Sequence, residues 1–456
     1  MTSVRPEPDL TAATAESARA ADVTASDAAP PDSAVPPDAA GPAAGPPSRR
    51  MFLRYLGGFG LSLLGDQLWF MALAWAAVRL GDPTQTSLVM TIGAVPRATL
   101  LLVGGTMADR WGALRVAQAS QVLRLLVMAA AAGTALAVGP DLVVLAIVAL
   151  VFGAIDAVHL PAVAALPPQL LARDQLPAGQ GLVQTLERAA TIVGAPLGGF
   201  LVAFGGFSLT TAINVGLFGL AFLVLRTLRL TMASSVPTKD DPGAARPEGT
   251  WRSLWAGLRY VARDSVLGPI LLVVSLLNLM LTAPLNVGVA LLAQTRGWDA
   301  SGFSGIIAGF GAGATLGALS MLRWRPRRRP AVIGLLWVAL GSGCLAAITL
   351  SPNLPTAIGA GAALGFSAGP ASALLLGLVQ ARTQTNYLGR VMSLVTFSAL
   401  GLVPIGYSAF GLLVEATNLT ATFLGCGAVG LLTALAALAL PALRDADFAE
   451  PAPGTP

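Results

Sequence analysis

The sequence predicts an all-α membrane protein with twelve transmembrane helices in two six-helix pseudo-repeats, and three observations carry that expectation. Hydrophobic residues make up 55% of the chain and charged residues only 11%, with a mean hydropathy of +0.72. A soluble chain of 456 residues would need more charge to cover its surface, whereas a lipid-facing one would not. From Met51 onward, apolar runs of membrane-spanning length follow one another, broken by Gly, Pro and charge. The longest polar stretch beyond residue 50 then divides these runs into six and six, as an internal repeat would.

Residues 1–50 come first. They are rich in Ala, Pro, Asp and Ser, and up to residue 48 hold seven acids against Arg5 and Arg19. Such a segment cannot bury enough surface to offset its ordering entropy, so a disordered cytosolic tail is expected. Ser48-Arg49-Arg50-Met51-Phe52-Leu53-Arg54 reads either as a twin-arginine export signal or as the cytosolic anchor of a permanent first helix. The N-terminal bundle, 51–228, predicts helices over 52–80, 85–107, 114–138, 141–163, 178–204 and 208–228. In the connector, 229–263, Trp251, Leu254, Trp255, Leu258 and Val261 recur at helical spacing opposite Arg252, Arg259 and Arg263. This predicts an amphipathic helix that either lies at the lipid headgroups or packs on the cytosolic face of the bundle. The C-terminal bundle, 264–442, predicts helices over 264–293, 302–322, 331–350, 354–380, 389–414 and 419–442, and residues 443–456 form a second cytosolic tail.

Alternating the loops from a cytosolic N-terminus places twenty-one Lys and Arg on cytosolic segments and only Arg79 and Arg296 outside. Cytosolic loops collect positive charge, so this bias supports both the helix count and a multi-pass protein of the inner membrane with both termini cytosolic. It also favours the anchor reading of Arg49 and Arg50 over a cleaved export signal.

Several classes are excluded. The net charge of +5 does not point to nucleic acid, because the basic residues fall between apolar runs and not on one soluble face. Lys239 is the only lysine and sits between Thr238 and Asp240, so no Walker A phosphate loop exists. Cys344 and Cys426 lie inside apolar runs and His159 is the sole histidine, which leaves no expectation of a disulfide framework, a metal or a cofactor. A membrane enzyme would need a clustered catalytic set, and the dispersed acids do not supply one.

The loop after the second helix reads "GGTMADRWGALR". It resembles the G-x-x-x-D-[RK]-x-G-[RK]-[RK] signature of the major facilitator superfamily, with Gly105, Asp109, Arg110 and Gly112 in register. Ala113 and Leu114 stand where basic residues are usual, and Arg115 keeps a charge nearby. Glycines there permit a tight turn and close helix approach, while the Asp and Arg can change partners as two halves rock. "LGDQLWFMALAW", "FGAIDAVHLPA", "GAPLGGFL" and "LGRVMSLVTFSALGLVPIGYSAFG" are similar to the branch containing the enterobactin exporter and the transmembrane secretion effectors. The fifth-helix stretch, with Gly194, Pro196, Gly198 and Gly199, is similar to the proton-coupled exporters' G-P-x-x-G-G, although its proline falls one place late. The resemblance implies the major facilitator fold and a secondary transporter.

Charged side chains inside a bilayer cost about 2.5–3.5 kcal/mol on insertion scales, so each one retained is a functional candidate. Asp66, Arg97, Arg124, Asp156, His159, Glu187 and Arg188 are such residues. Asp66 is the first choice for a proton-carrying carboxylate, the alternative being a fixed salt bridge to Arg97 or Arg124. Asp156 and His159 share a helix face, where the acid can hold the imidazole or share its proton, although a lone histidine near a helix end is more often a packing residue than a relay. Glu187 and Arg188 are expected to pair with Asp156 or Arg124, either as a cytosolic-side gate or as a static network. Asn214, Asn278 and Asn286 either line a cavity or bond between helices. Asp109 is expected to meet the start of the eleventh helix, near Gly389 and Arg390, when the cytosolic side is closed.

These readings predict a proton-coupled exporter of a small amphipathic or apolar molecule, such as a drug, antibiotic or siderophore, working as a monomer by alternating access. The alternatives are an importer of a small metabolite and a non-transporting membrane receptor or scaffold.

Overall fold

The computed structural model describes residues 49–228, 250–324, 326 and 328–448. The expected N-terminal tail up to residue 48, most of the connector and residues 449–456 lie outside the described residues. Every regular element among the described residues is helical. In order they are α1 Arg49–Leu80, α2 Pro83–Trp111, α3 Ala113–Val138, α4 Leu142–Ala164, α5 Pro167–Leu170, α6 Leu176–Arg226, α7 Thr250–Arg263 and α8 Leu267–Ala283. There follow α9 Val289–Thr295, α10 Asp299–Arg323, α11 Pro330–Leu350, α12 Leu354–Arg382, α13 Thr385–Leu400, α14 Val403–Ala416, α15 Leu419–Ala439 and α16 Pro441–Arg444. Among the described residues ten spans are long and apolar enough to cross a membrane, or eleven when α2, bent by 53° between Leu101 and Val103, is included.

Four of the expected helices take a different form. The fifth and sixth run together as α6, 51 residues long, with Gly206 non-helical at φ 65, ψ −165. At ~1.5 Å per residue α6 would measure ~77 Å, more than twice the bilayer core, so the chain must turn within it. Gly206 permits that turn because its φ crowds any Cβ. The expected seventh helix is α8 and α9 joined by a π turn at Pro284–Gly288. Pro284 has no N–H and its ring crowds the carbonyl one turn back, and the wider turn absorbs both defects. The expected eleventh helix breaks between α13 and α14 at Gly401 and Leu402, just ahead of Pro404.

The end where α1 begins is called proximal here and the opposite end distal. Four helices that start distally have side-chain caps. Asp82, Asp141, Asn353 and Asn418 accept hydrogen bonds from the backbone N–H groups of Gln85, Val143, Thr356 and Ala421 at 2.7, 2.9, 3.1 and 2.8 Å. These first-turn donors have no partner within the helix, so a short polar residue at each turn fixes where α2, α4, α12 and α15 begin.

Small residues set the closest pairings. Gly313 and Gly317 of α10 face the carbonyls of Ala362 and Phe366, while Gly365 and Gly369 of α12 face those of Phe310 and Ala314. This reciprocal stripe lets two backbones touch where lipid gives no hydrophobic drive to associate. The α2–α4 pair repeats the device with Gly104 against the Ala157 carbonyl and Gly153 against Gly93. Gly105, by contrast, faces open space, so the close approach belongs to its neighbour, one residue ahead of the signature.

Three buried cores follow. The distal core joins residues from both sides of the connector, among them Trp69, Phe152, Val202, Leu291, Phe303, Phe410 and Phe423. The two proximal cores are separate, one built from Phe52, Ala117, Val163 and Leu225 and the other from Val266, Leu335, Leu378 and Ala437. The amphipathic helix α7 packs on α13 and α8. Tyr260 stacks on Tyr387 at 4.3 Å and its hydroxyl accepts a hydrogen bond from the Gln384 N–H at 3.2 Å, while Trp255 and Leu258 stay exposed.

Candidate functional site

The buried polar residues of the first bundle converge on Arg124. Ser62 and Asp66 are four apart on α1, and Gln121 and Arg124 three apart on α3, so each pair shares one helix face. Arg124 is fully buried. Its Nη1 donates to Ser62 Oγ at 2.9 Å, its Nη2 lies 3.2 Å from Asp66 Oδ1, and the same nitrogen pairs with Asp156 Oδ1 on α4. Its guanidinium lies over the rings of Phe152 and Phe218, 5.1 and 5.4 Å from their centroids, a favourable contact for a desolvated cation. Ser62 Oγ donates to Gln121 Oε1 at 3.1 Å, and Gln121 Nε2 donates to the Phe218 carbonyl at 3.3 Å. The other oxygen of Asp156 is 3.9 Å from Arg97 Nη1. Two carboxylates thus face two guanidiniums, and that balance is what lets the charges remain in a low-dielectric interior.

Asp66 therefore bridges to Arg124, while Arg97 meets Asp156. His159 does not contact Asp156: its buried Nδ1 is 2.8 Å from Ser120 Oγ, and Asp156 turns to the two arginines. A carboxylate beside two cations gains more from them than from an imidazole on its own helix. Glu187 and Arg188 depart from expectation. The ion pairs among the described residues are Arg97–Asp156, Arg124–Asp66 and Arg124–Asp156, so neither residue joins the network, whose charges are already matched.

A cavity of about 480 Å³ is walled by residues from both sides of the connector. Gln67, Arg97 and Asp156 line it from α1, α2 and α4, and Asn278, Asn286 and Tyr407 from α8, the π turn and α14. Asp66 and Arg124 are not in its wall and connect to it through Asp156. Asn286 sits in the π turn, where Nδ2 donates to Tyr407 Oη at 3.1 Å, whereas Asn214 bonds between helices, donating to the Gly65 carbonyl at 3.0 Å. Tyr407 and Gln67 were not legible as site residues, since neither carries the charge that marks a costly intramembrane group. Pro284 within an apolar run was the one available signal for the π turn.

Around the signature loop, Gly112 takes φ 88 and turns α2 into α3, while Asp109, Arg110 and Arg115 are exposed. α2 touches α13, on which Arg390 lies over the Tyr387 ring at 5.4 Å and packs its Cβ against Gly257. The fifth-helix motif is a packing surface with Pro196 inside α6. A Cβ on Gly194 or Gly198 would come within 2.7 Å of Gln67 Cβ or 3.0 Å of Met71 Cβ, and one on Gly199 would meet Ser304 and the Ala300 carbonyl of α10.

The chain is 29% identical over 410 residues to the multidrug efflux pump Tap of Mycobacterium tuberculosis (strain ATCC 25618 / H37Rv), covering 85% of this chain and 93% of that one. It is 27% identical over 378 residues to the enterobactin exporter EntS of Escherichia coli O1:K1 / APEC, covering 79% and 85%. Its fold is similar to the crystal structure of the nucleoside transporter NupG, with TM-score 0.64, 14% identity and coverage of 86% and 98%. It is also similar to a bacterial homologue of the iron transporter ferroportin in an inward-facing state, with TM-score 0.64, 16% identity and coverage of 86% and 99%. The family model described as Major Facilitator Superfamily matches residues 55–401, and with its helical spans and a polar cavity walled from both sides of the connector, the chain belongs to that superfamily of membrane transporters.

Proposed function

We propose that the chain exports a small amphipathic or apolar molecule by proton-coupled alternating access between two six-helix bundles. The observation that carries this reading is the cavity between the bundles, walled by Arg97 and Asp156 on one side and by Asn278, Asn286 and Tyr407 on the other. The names of two relatives, a multidrug efflux pump and an enterobactin exporter, support the direction. The eleven candidate spans become twelve crossings when α6 is divided at Gly206. The two most extensive inter-bundle interfaces, α6 with α10 and α2 with α14, are then the fifth span with the eighth and the second with the eleventh. These pairs exchange under the pseudo-twofold of a repeat.

The arginine bias makes the proximal end cytosolic. One distal core shared by both bundles, with two separate proximal cores, is the arrangement of a carrier closed outside and open to load from the cytosol. Protonation of Asp66 or Asp156 would remove one charge from the network and leave Arg124 or Arg97 free to change partners. That exchange would couple the proton to rocking. Asp109 and Arg390 would latch α2 to the start of α13 when the proximal side closes.

The test is an efflux and susceptibility panel in a host stripped of its own pumps, comparing wild type with D66N and D156N and repeating with the proton gradient collapsed. Export is expected to require both the gradient and the carboxylates. Accumulation unchanged in every condition sinks the proposal.

A further inference from the structure

A second cavity, about 270 Å³, lies wholly within the C-terminal bundle among α8, α11, α12, α13 and α15. Its wall is apolar, with Val274, Leu277, Trp337, Leu345, Leu364 and Leu375. Two of its hydroxyls are already used by their own helices, Ser342 Oγ donating to the Val338 carbonyl at 3.0 Å and Ser367 Oγ to the Leu364 carbonyl at 2.7 Å. A water inside would find few of the polar partners that hold water in a cavity. The space is partly open, and its volume is nearly twice the ~150 Å³ of an apolar cavity that takes benzene. It meets the polar cavity at Asn278 and Leu281, which line both.

We propose that this chamber is a binding subsite for the apolar chain or ring system of an amphipathic ligand whose polar group sits in the central cavity beside Arg97 and Asp156. The proposal rests on the transporter reading above and names its substrate class. Asn278 stands at the neck, where head and tail part. A medium alkyl chain or two fused rings fits the volume. That chain can belong to a soluble amphipath or to a bilayer lipid, and the test separates the two.

The purified full chain in nanodiscs, with no gradient, is titrated with alkyltrimethylammonium and alkylsulfonate ions of increasing tail length, brominated at the tail end, while tryptophan emission is read. Quenching is expected to include a component lost in W337F, because Trp337 lines the chamber. A filling variant, A368L, should shift the best tail length downward by two or more carbons, and an enlarging one, L277A, should shift it upward. Native nanodiscs carrying tail-brominated phospholipid form the other arm: W337F-sensitive quenching there, relieved by the soluble ions, assigns the resting occupant to lipid and keeps the subsite. Quenching indifferent to W337F in both arms, or one length profile shared by wild type, A368L and L277A, overturns the proposal. Because binding is read without transport, failure of export in the efflux panel leaves this result standing.

Discussion

Asp66 Oδ1 lies 3.2 Å from Arg124 Nη2, yet of the two carboxylates on that guanidinium only Asp156 lines the central cavity. Arg124 thereby joins a carboxylate outside the cavity wall to one in it. Under the proposed mechanism, a proton on Asp66 and a substrate beside Asp156 would be linked through that single side chain. Four predictions follow from this geometry and from the packing around it.

Removing Arg124 strands Asp66 and leaves Asp156 with Arg97 alone. R124Q is expected to lower stability by about 3–5 kcal/mol, the usual cost of breaking a buried pair. The double change R124Q/D66N, which keeps the Arg97–Asp156 pair, should recover much of the loss. Thermal unfolding of purified protein in one detergent checks both, and a double variant no more stable than R124Q would refute the charge-balance account.

Gly104, just ahead of the signature loop, and Gly105, its first residue, should behave oppositely. G104V drives a side chain into the Ala157 carbonyl and is expected to cost about 2 kcal/mol or more by overpacking. G105V, facing open space, should be tolerated in folding. Expression and melting temperature of the pair decide it, and equal sensitivity would mean that the α2–α4 contact is misassigned.

The distal closure depends on small residues at the α6–α10 contact. G199L would meet Ser304 and the Ala300 carbonyl there and should bias the carrier towards a distally open state. With Cys344 and Cys426 replaced by alanine, a cysteine introduced by T91C, at the contact of Thr91 with Ser408, should react roughly fivefold faster with an impermeant thiol reagent applied from outside. That corresponds to a population shift of ~1 kcal/mol. No change in rate would remove Gly199 from the gate.

The loop carboxylate is expected to act on cycling and not on folding. D109N should reduce export about tenfold, in the range of coupling energies of ~1–3 kcal/mol between states, with membrane expression intact. Transport at the wild-type rate would dismiss the latch.

Local chemistry made much of the fold legible. Runs of apolar residues, the turns at Asp82, Asp141, Asn353 and Asn418, and the break near Gly206 depend on residues adjacent in the chain, so helix positions could be read with few errors. The candidate charges were also legible, since a bilayer makes each one costly wherever it folds. Their partners were not. Asp156 and His159 lie on one face of one helix, yet the acid turns to Arg97 and Arg124 while the imidazole meets Ser120, because the stronger attraction comes from helices that only packing brings near.

Glu415 is exposed at the end of α14 and also accepts a hydrogen bond from Thr84 across the α2–α14 interface, a contact that only packing creates. By itself, then, the sequence determined the membrane class and most of the helices, and it singled out the intramembrane charges, since lipid sorts residues one at a time by polarity. Only the tertiary structure decided which charges pair, that Asp156 and not Asp66 lines the cavity, and that an apolar pocket opens among α8, α11, α12, α13 and α15. Pairing and enclosure depend on distances between helices that are far apart in the chain.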